Sequence, residues 1–287
     1  MIEDAEMCKT IHLYRKKLQE KVCDKVEKSK EIIREAFQKF GSDRLAIAWS
    51  GGKDSTTMLW IIRQVCLEDG IKLPKVISIE EGDSFPEILE HISRVKKEWN
   101  LDHEFVCNTD VLKAANHKLG AVVKVKDLTE RNRAELQRIG FTEEEFVFEP
   151  ESPECNHLMK TVPVNQFIER NNIKGLFTAI RWDEHPSRRE DEYFMKREGG
   201  YLQPEHWRIE PILHFLERDI WNTIFAYSIP FCSLYERGYR SLGVRSTTKK
   251  FSDLPAWEQD LENTDERGGR FQDKEKIMDR LRKLGYM

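Results

Sequence analysis

The chain has 287 residues, 39% of them hydrophobic and 34% charged, a globular composition that excludes wholesale disorder and suits one large domain with appendages. Its 47 Lys and Arg against 51 Asp and Glu leave a formal charge of −4, which excludes a general nucleic-acid coat but leaves room for a local basic site. No apolar run approaches the ~20 residues of a membrane span, and the acidic opening MIEDAEMCKT is unlike a secretory leader, so a cytoplasmic protein with no membrane partner is expected.

In chain order, residues 11–40 carry Leu18, Val22, Val26, Ile33, Phe37 and Phe40 at spacings of three, four and seven, which predicts a long amphipathic helix closed by Gly41. Residues 45–49, LAIAW, are apolar and too few for a helix, so they read as a buried parallel strand. A glycine-rich turn leads into a predicted helix over 55–68. A second strand, VISI, follows at 76–79, then a helix over 86–99 that opens on Pro86. A third strand is predicted near 104–107, a helix over 163–171 and a fourth strand, GLFTAI, over 175–180. The fold class is therefore α/β, a doubly wound parallel sheet. Residues 120–156 break the rhythm with charges and read as an insertion that is helical in its middle. A helix is expected over 217–227, a Gly- and Arg-rich loop over 237–250, and a short amphipathic helix marked by Ile277, Leu281 and Leu284. The domain reading is an N-terminal helical segment 1–43, a nucleotide-binding domain 44–230 and a C-terminal extension 231–287 over the site.

The six cysteines, Cys8, Cys23, Cys66, Cys107, Cys155 and Cys232, are scattered without a C-x-x-C pair and read as reduced, mostly buried thiols. Cys155 and His157 hint at a metal, but no second pair lies at ligand spacing and no resident metal is predicted. Ser50-Gly51-Gly52-Lys53-Asp54-Ser55 stands between a buried strand and a helix start. Glycines there let backbone N–H groups approach an anion, the helix N-terminus adds partial positive charge, and Ser50, Lys53 and Ser55 supply donors for a phosphate chain. The Walker pattern fails, since Ile47 and Asp54 stand where glycine and Ser/Thr are required, and GxGxxG is absent. The plain alternative is a tight glycine-rich turn.

Residues beyond the carboxyl ends of parallel strands face the ligand side of such a sheet. Glu80, Glu81 and Asp83 follow the second strand and suit Mg²⁺ through water, a ribose or adenine edge, or simply solvent. Arg181, Arg188 and Arg189 lie within the nine residues after the fourth strand and suit bidentate recognition of phosphate or sulfate, with a surface ion-pair network as the alternative. Arg237, Arg240, Arg245, Lys249 and Lys250, interleaved with Tyr235 and Tyr239, form a basic loop. It suits closure over a nucleotide, a sulfate, a nucleic-acid acceptor or solvent.

The Ser50–Ser55 run resembles the PP-loop of the adenine-nucleotide alpha hydrolases, or N-type ATP pyrophosphatases. That resemblance implies ATP, with Mg²⁺, split to AMP and pyrophosphate, and assigns Ser50, Gly51, Gly52, Lys53, Asp54 and Ser55 to nucleotide binding. The segment from Arg181 to Arg189 is similar to the arginine motif of the small, ATP-binding subunit of sulfate adenylyltransferase and of the sulfonucleotide reductases. This implies catalytic roles for Lys53, Asp54, Arg181, Arg188 and Arg189 and nucleotide contacts for Glu80, Asp183, Glu184 and, in the Asp-Glu-Arg-Gly-Gly-Arg stretch, Arg267 and Arg270. Residues 234–243 resemble the LY-x-x-GY-x-S-x-G signature of the reductases.

The departures from the reductase pattern imply a choice among these relatives. Val244 to Thr247 replace the Cys-x-x-Cys that follows the signature in cluster-bearing reductases, Cys155-Asn156 stands where they carry a cysteine pair before Lys160 and Pro163, and no cysteine follows Cys232. No iron–sulfur cluster is expected. The leading expectation is sulfate adenylyltransferase-like chemistry, ATP and sulfate to adenylylsulfate, within the phosphoadenylylsulfate-reductase-like family, with a GTPase partner subunit and a homo-oligomer as implied partners. The alternatives are a PP-loop pyrophosphatase for tRNA or DNA thiolation, a sulfonucleotide reductase lacking the usual cysteines, and a nucleotide-binding regulatory subunit.

Overall fold

The structure, a computed structural model, describes residues 2–149 and 152–269, with side chains described from residue 10 onward. The predicted helix around Ile277, Leu281 and Leu284, and Arg270, lie outside the described residues. Helix α1, Ile2–Phe40, runs for 39 residues and buries its apolar stripe from Leu18 to Phe37. It leads to β1, Leu45–Ala48, whose residues alternate between two covered faces. Leu45 and Ile47 join one core, with Val22, Val26, Ile33 and Phe37. Ala46 faces the other, with Phe167 and Ile168. Burial on both sides is why this strand reads as a continuous apolar run.

Helix α2, Lys53–Asp69, returns the chain to β2, Lys75–Ile79, and α3, Pro86–Glu98, to β3, His103–Val106. After a separate unit over residues 107–162, the chain comes back through α7, Val162–Asn171, to β6, Gly175–Phe177, then to β7, Phe194–Arg197, β8, His206–Ile209, and α8, Glu217–Tyr227. The six-stranded sheet has the order β3-β2-β1-β6-β8-β7. Ile47 pairs with Val76 on one side and Phe177 on the other, both parallel, and only β7 is antiparallel to its neighbour. Helices α1, α2, α3 and α8 supply one core and α7 the opposite face, so the sheet is doubly wound as expected.

Helix α1 is fastened to the segment that leads into α8 by side chains its stripe does not use. Ser29 Oγ donates to the Pro211 carbonyl at 2.7 Å, and Lys25 Nζ reaches the His214 carbonyl at 3.0 Å and Asp219 at 2.5 Å.

The unit over 107–162 has its own small core around Val111, Leu136, Phe146, Leu158 and Met159. It contains α4, Thr109–Ala114, the predicted mid-insertion helix as α5, Glu130–Arg138, and an antiparallel pair, β4, Val122–Lys124, with β5, Glu145–Val147. The helix expected over 163–171 begins earlier. A turn α6, Pro153–Asn156, runs through a π-turn, His157–Thr161, into α7. The widened turn lies just before Pro163, whose missing N–H would otherwise break the α-helical ladder, and the proline therefore sits inside the helical run rather than at its start. The fourth strand stops at Phe177, short of the expected 180, where its neighbour β8 ends at Ile209; Thr178 N–H makes a last bond to the Ile209 carbonyl at 2.9 Å, and Trp182 N–H bonds that of Leu213 at 3.0 Å.

Candidate functional site

Strand β1 sends its connection to β2 on one side, while β6 arrives on its other side from the opposite layer. This is the topological switch point of the sheet, where the loops after β1 and β6 diverge and leave a crevice. The loop after β1 is shaped by Gly51, at φ +75°, where an added Cβ would stand 3.0 Å from Ile92 Cγ1. A β-branched residue there would be both strained and crowded. Its polar atoms hold the bend. Ser50 Oγ accepts from Gly52 N–H at 3.3 Å and lies 3.1 Å from Ser55 Oγ, and Ser55 Oγ donates to the Gly52 carbonyl at 3.1 Å. The first N–H of α2, that of Lys53, is taken by the Tyr235 hydroxyl at 2.9 Å. Tyr235 is buried edge-on against Trp221, with ring centroids 5.2 Å apart.

Lys53 is 1% exposed, and its Nζ lies 2.5 Å from Glu266 Oε1, 3.1 Å from Asp54 Oδ2 and 3.7 Å from Glu217 Oε1. Arg181, from the loop after β6, is equally buried. It pairs with Asp54 and Glu266, and with Asp183 at 2.8 Å. One carboxylate, that of Glu266, thus has an oxygen on each of the two cations. Behind it Arg240 grips Glu217, with Nη2 2.7 Å from Oε2, and Asp183 Oδ2 accepts the N–H of Glu217 at 2.8 Å. Burial works against the Lys53 ammonium, but Asp54, Glu266 and Glu217 outweigh it and raise its pKa. Burial pushes the Glu266 carboxyl up, yet Arg181 and Lys53 outweigh that and hold it well below the usual carboxylate range. Glu217, buried and facing Glu266, is pushed up to about 6. The arrangement is a two-cation clamp for an oxyanion, set at a helix N-terminus and shielded from water, where charge interactions are strong.

The sequence model of the phosphoadenosine phosphosulfate reductase domain matches residues 44–250, spanning the sheet, the loop and the arginine segment. The chain belongs to the phosphoadenosine phosphosulfate reductase family. An adenosine 5′-phosphosulfate reductase of Geobacillus kaustophilus is 23% identical over 223 residues, 78% of this chain and 80% of that protein. Among solved structures, the FMN adenylyltransferase of Candida glabrata superposes with a TM-score of 0.63 at 16% identity, covering 95% of this chain and 97% of that one. The phosphoadenylyl-sulfate reductase of Candida auris, a phosphate complex, superposes at 0.52 and 15% identity, covering 76% and 89%. These structural likenesses are of fold, that of the adenine nucleotide alpha hydrolases. The names of the sequence relatives favour the reductase alternative over the sulfate adenylyltransferase expectation.

At this crevice the structure brings together Ser50 to Ser55, Arg181 and Asp183. Glu184 and Arg267, both expected at the nucleotide, pair with each other at 3.0 Å. Arg188 is buried on Asp191 at 3.5 Å and belongs to a second buried group, with Arg208 and Glu210, rather than to the clamp. Arg189 is exposed beside it. Glu80 bends into its own turn, accepting Gly82 N–H at 2.8 Å. Asp83 accepts Ser246 N–H at 2.7 Å, tying the C-terminal loop to the end of β2. The basic loop divides, with Arg240 buried and Arg237, Arg245, Lys249 and Lys250 exposed. Arg240 is core, and Arg237, Arg245 and Lys250 pair with Glu87, Asp83 and Asp253.

Sequence reasoning missed Glu217 and Glu266 as parts of the site, and it placed Tyr235 and Arg240 in a basic loop rather than in the buried support of the clamp. Both acids lay inside stretches singled out for other residues, and in 265–270 the arginines drew attention from Glu266 just before them.

No helix among the described residues is long and apolar enough to cross a membrane. No group of three or more His, Cys, Asp and Glu among them is arranged to hold a metal ion. The nearby carboxylates are spent on Lys53, Arg181 and Arg240, so the residues do not form a resident Mg²⁺ cage. His157 is committed to Glu135, 2.9 Å away. Cys66, Cys155 and Cys232 are buried free thiols. Burial pushes Cys155 up to about 11 and Cys66 up to about 12, the reverse of what an attacking thiolate needs.

Proposed function

We propose that this family member binds an adenine nucleotide at the switch-point crevice and transfers its adenylyl group with release of pyrophosphate. The observation that carries the reading is the convergence of Lys53 and Arg181 on a single carboxylate beside the Ser50–Ser55 glycine loop, a geometry suited to the terminal phosphates of ATP. An acceptor oxygen attacks the α-phosphorus and the bond from that phosphorus to the bridging oxygen breaks. Lys53, Arg181 and the start of α2 stabilise the negative charge that gathers on the leaving pyrophosphate. Mg²⁺ would enter with the nucleotide's own phosphates. Sulfate is the acceptor this reading favours, and Arg189, exposed at the crevice loop, is the residue expected to meet it. A GTPase partner belongs to this sulfate reading.

A second reading, reduction of a sulfonucleotide, is favoured by the names of the sequence relatives. It requires an accessible low-pKa thiol, against which the burial of Cys155 and Cys232 weighs. One experiment separates the two. The protein is given ATP, Mg²⁺ and sulfate, or adenylylsulfate with thioredoxin, and pyrophosphate and sulfite are measured. Adenylyl transfer predicts sulfate-stimulated pyrophosphate release that falls by on the order of 10²-fold in Lys53→Ala. Sulfite release without pyrophosphate would establish the second reading, and unchanged pyrophosphate release in Lys53→Ala would overturn the mechanism.

A further inference from the structure

Glu266 sits at the place where the proposed function needs a phosphate. It is 9% exposed, with one oxygen 2.5 Å from Lys53 Nζ and the other on Arg181 Nη2. Burying a carboxylate and two cations has a desolvation cost that good pairing only offsets, so an anion with more oxygens and more charge competes well for the same two donors. The segment that delivers Glu266 is built for exchange. Beyond Leu261, the last residue of this segment in the main core, residues 262–265 are exposed. They are held by polar contacts, Arg240 Nη2 to the Leu261 and Thr264 carbonyls at 3.2 and 3.1 Å. Glu266–Gly269 is a lone 3₁₀ turn, tied on its outer side by Arg267 to Glu184 at 3.0 Å. Few apolar contacts and many polar ones mark a segment of low local stability.

We propose that Glu266 is an internal occupant of the phosphate clamp, and that a nucleotide's terminal phosphates, or free pyrophosphate, bind by expelling its carboxylate and lifting residues 262–269. The inference rests on the assignment of the clamp to phosphate and adds its regulation. With Glu266 seated both cations are paired internally, and the affinity measured for a phosphate ligand is reduced to the extent that the carboxylate is seated.

The test uses the full chain, with pyrophosphate as probe and calorimetry as readout. Glu266→Gln keeps the shape and removes the charge, and it is expected to bind pyrophosphate about tenfold tighter than wild type if the seated state holds nine molecules in ten. Lys53→Ala is expected to weaken binding in either background. In wild type, hydrogen exchange at the amides of 262–269 is expected to speed up when pyrophosphate is added. This measurement stands even if Glu266→Gln does not fold. Unchanged or weaker binding by Glu266→Gln alongside a weakened Lys53→Ala overturns the occupant proposal and leaves the phosphate assignment standing, as does slower exchange at 262–269. Binding that ignores Lys53→Ala overturns the assignment itself.

Discussion

Arg240→Met tests whether the clamp is held from behind by a buried ion pair. The guanidinium is 2% exposed. Its Nε reaches the two oxygens of Glu217 at 3.2 and 3.0 Å, and Nη2 reaches Oε2 at 2.7 Å. It also serves the carbonyls of Asp260, Leu261 and Thr264 at 3.3, 3.2 and 3.1 Å. Methionine fills most of the stem's volume and supplies none of these donors. Removing one partner of such a pair costs roughly 3–5 kcal/mol, because a buried charge is left uncompensated. Glu217 retains Lys53 at 3.7 Å and can take up a proton, since its pKa already lies at about 6, so the lower half of that range is expected at pH 7.5. A carboxyl whose folded pKa is raised binds protons in the native state first, so the variant's deficit shrinks as pH falls from 7.5 towards 5. Urea unfolding of wild type, Arg240→Met, Glu217→Gln and the double variant measures this, and the double variant is expected to lose clearly less than the two single losses added. A loss below ~1 kcal/mol for Arg240→Met at pH 7.5, or strict additivity, refutes the buried pair as the support of the clamp.

Two further outcomes are expected. Gly238→Ala, at φ +91° with its Cβ 1.7 Å from the Ser252 carbonyl oxygen, should cost roughly 2–5 kcal/mol from backbone conformation and overlap together, seen as a lowered urea midpoint; a change within 0.5 kcal/mol, about the noise of such data, contradicts the geometry. Burial, aided by Arg94, lowers His91 from 6.5 to about 4, so its neutral ring favours folding above pH 6.5 and that contribution drains as pH falls from 6.5 through 4. Thermal midpoints compared at pH 7 and pH 5 should drop less in His91→Leu than in wild type, by a difference worth about 2 kcal/mol, and equal drops would show that His91 titrates freely.

The central strands were legible because burial on both faces leaves an uninterrupted apolar run. Ala46 and Ile47 have no polar neighbour to confuse the period, and past Lys75 the second strand has only Ser78 among its apolar residues. Strand β8 was hidden because one of its two buried residues is Arg208, paired with Glu210 at 2.5 Å, and a charge in a strand looks like surface. Strand β7, FMKR, is an edge strand with half-buried residues and the same disguise. The pair β4 and β5 is three residues each, too short for alternation to register. At the site, the loop was legible since glycine spacing states a backbone requirement, whereas the acids that complete it, Glu217 and Glu266, are 49 residues apart in sequence and meet only through the fold of the extension. Charge type alone did not separate Arg181, which meets the loop, from Arg188, which is buried elsewhere. That distinction depends on which way the chain turns after β6.

The widened turn at His157–Thr161 sets a constraint on chain length. Each residue of an ordinary helix advances the side chains by about 100°, and one extra residue in the turn shifts the phase of the helix on its N-terminal side against that on its C-terminal side. Cys155 and Leu158 thereby lodge in the small core of the inserted unit, while Phe167 and Ile168, on the same rod, lie against the central sheet. Deleting one residue here would restore a regular helix and swing one of those two sets into water. Substitution at these positions is a local event, but the count of residues between Cys155 and Phe167 keeps two separately packed bodies in step.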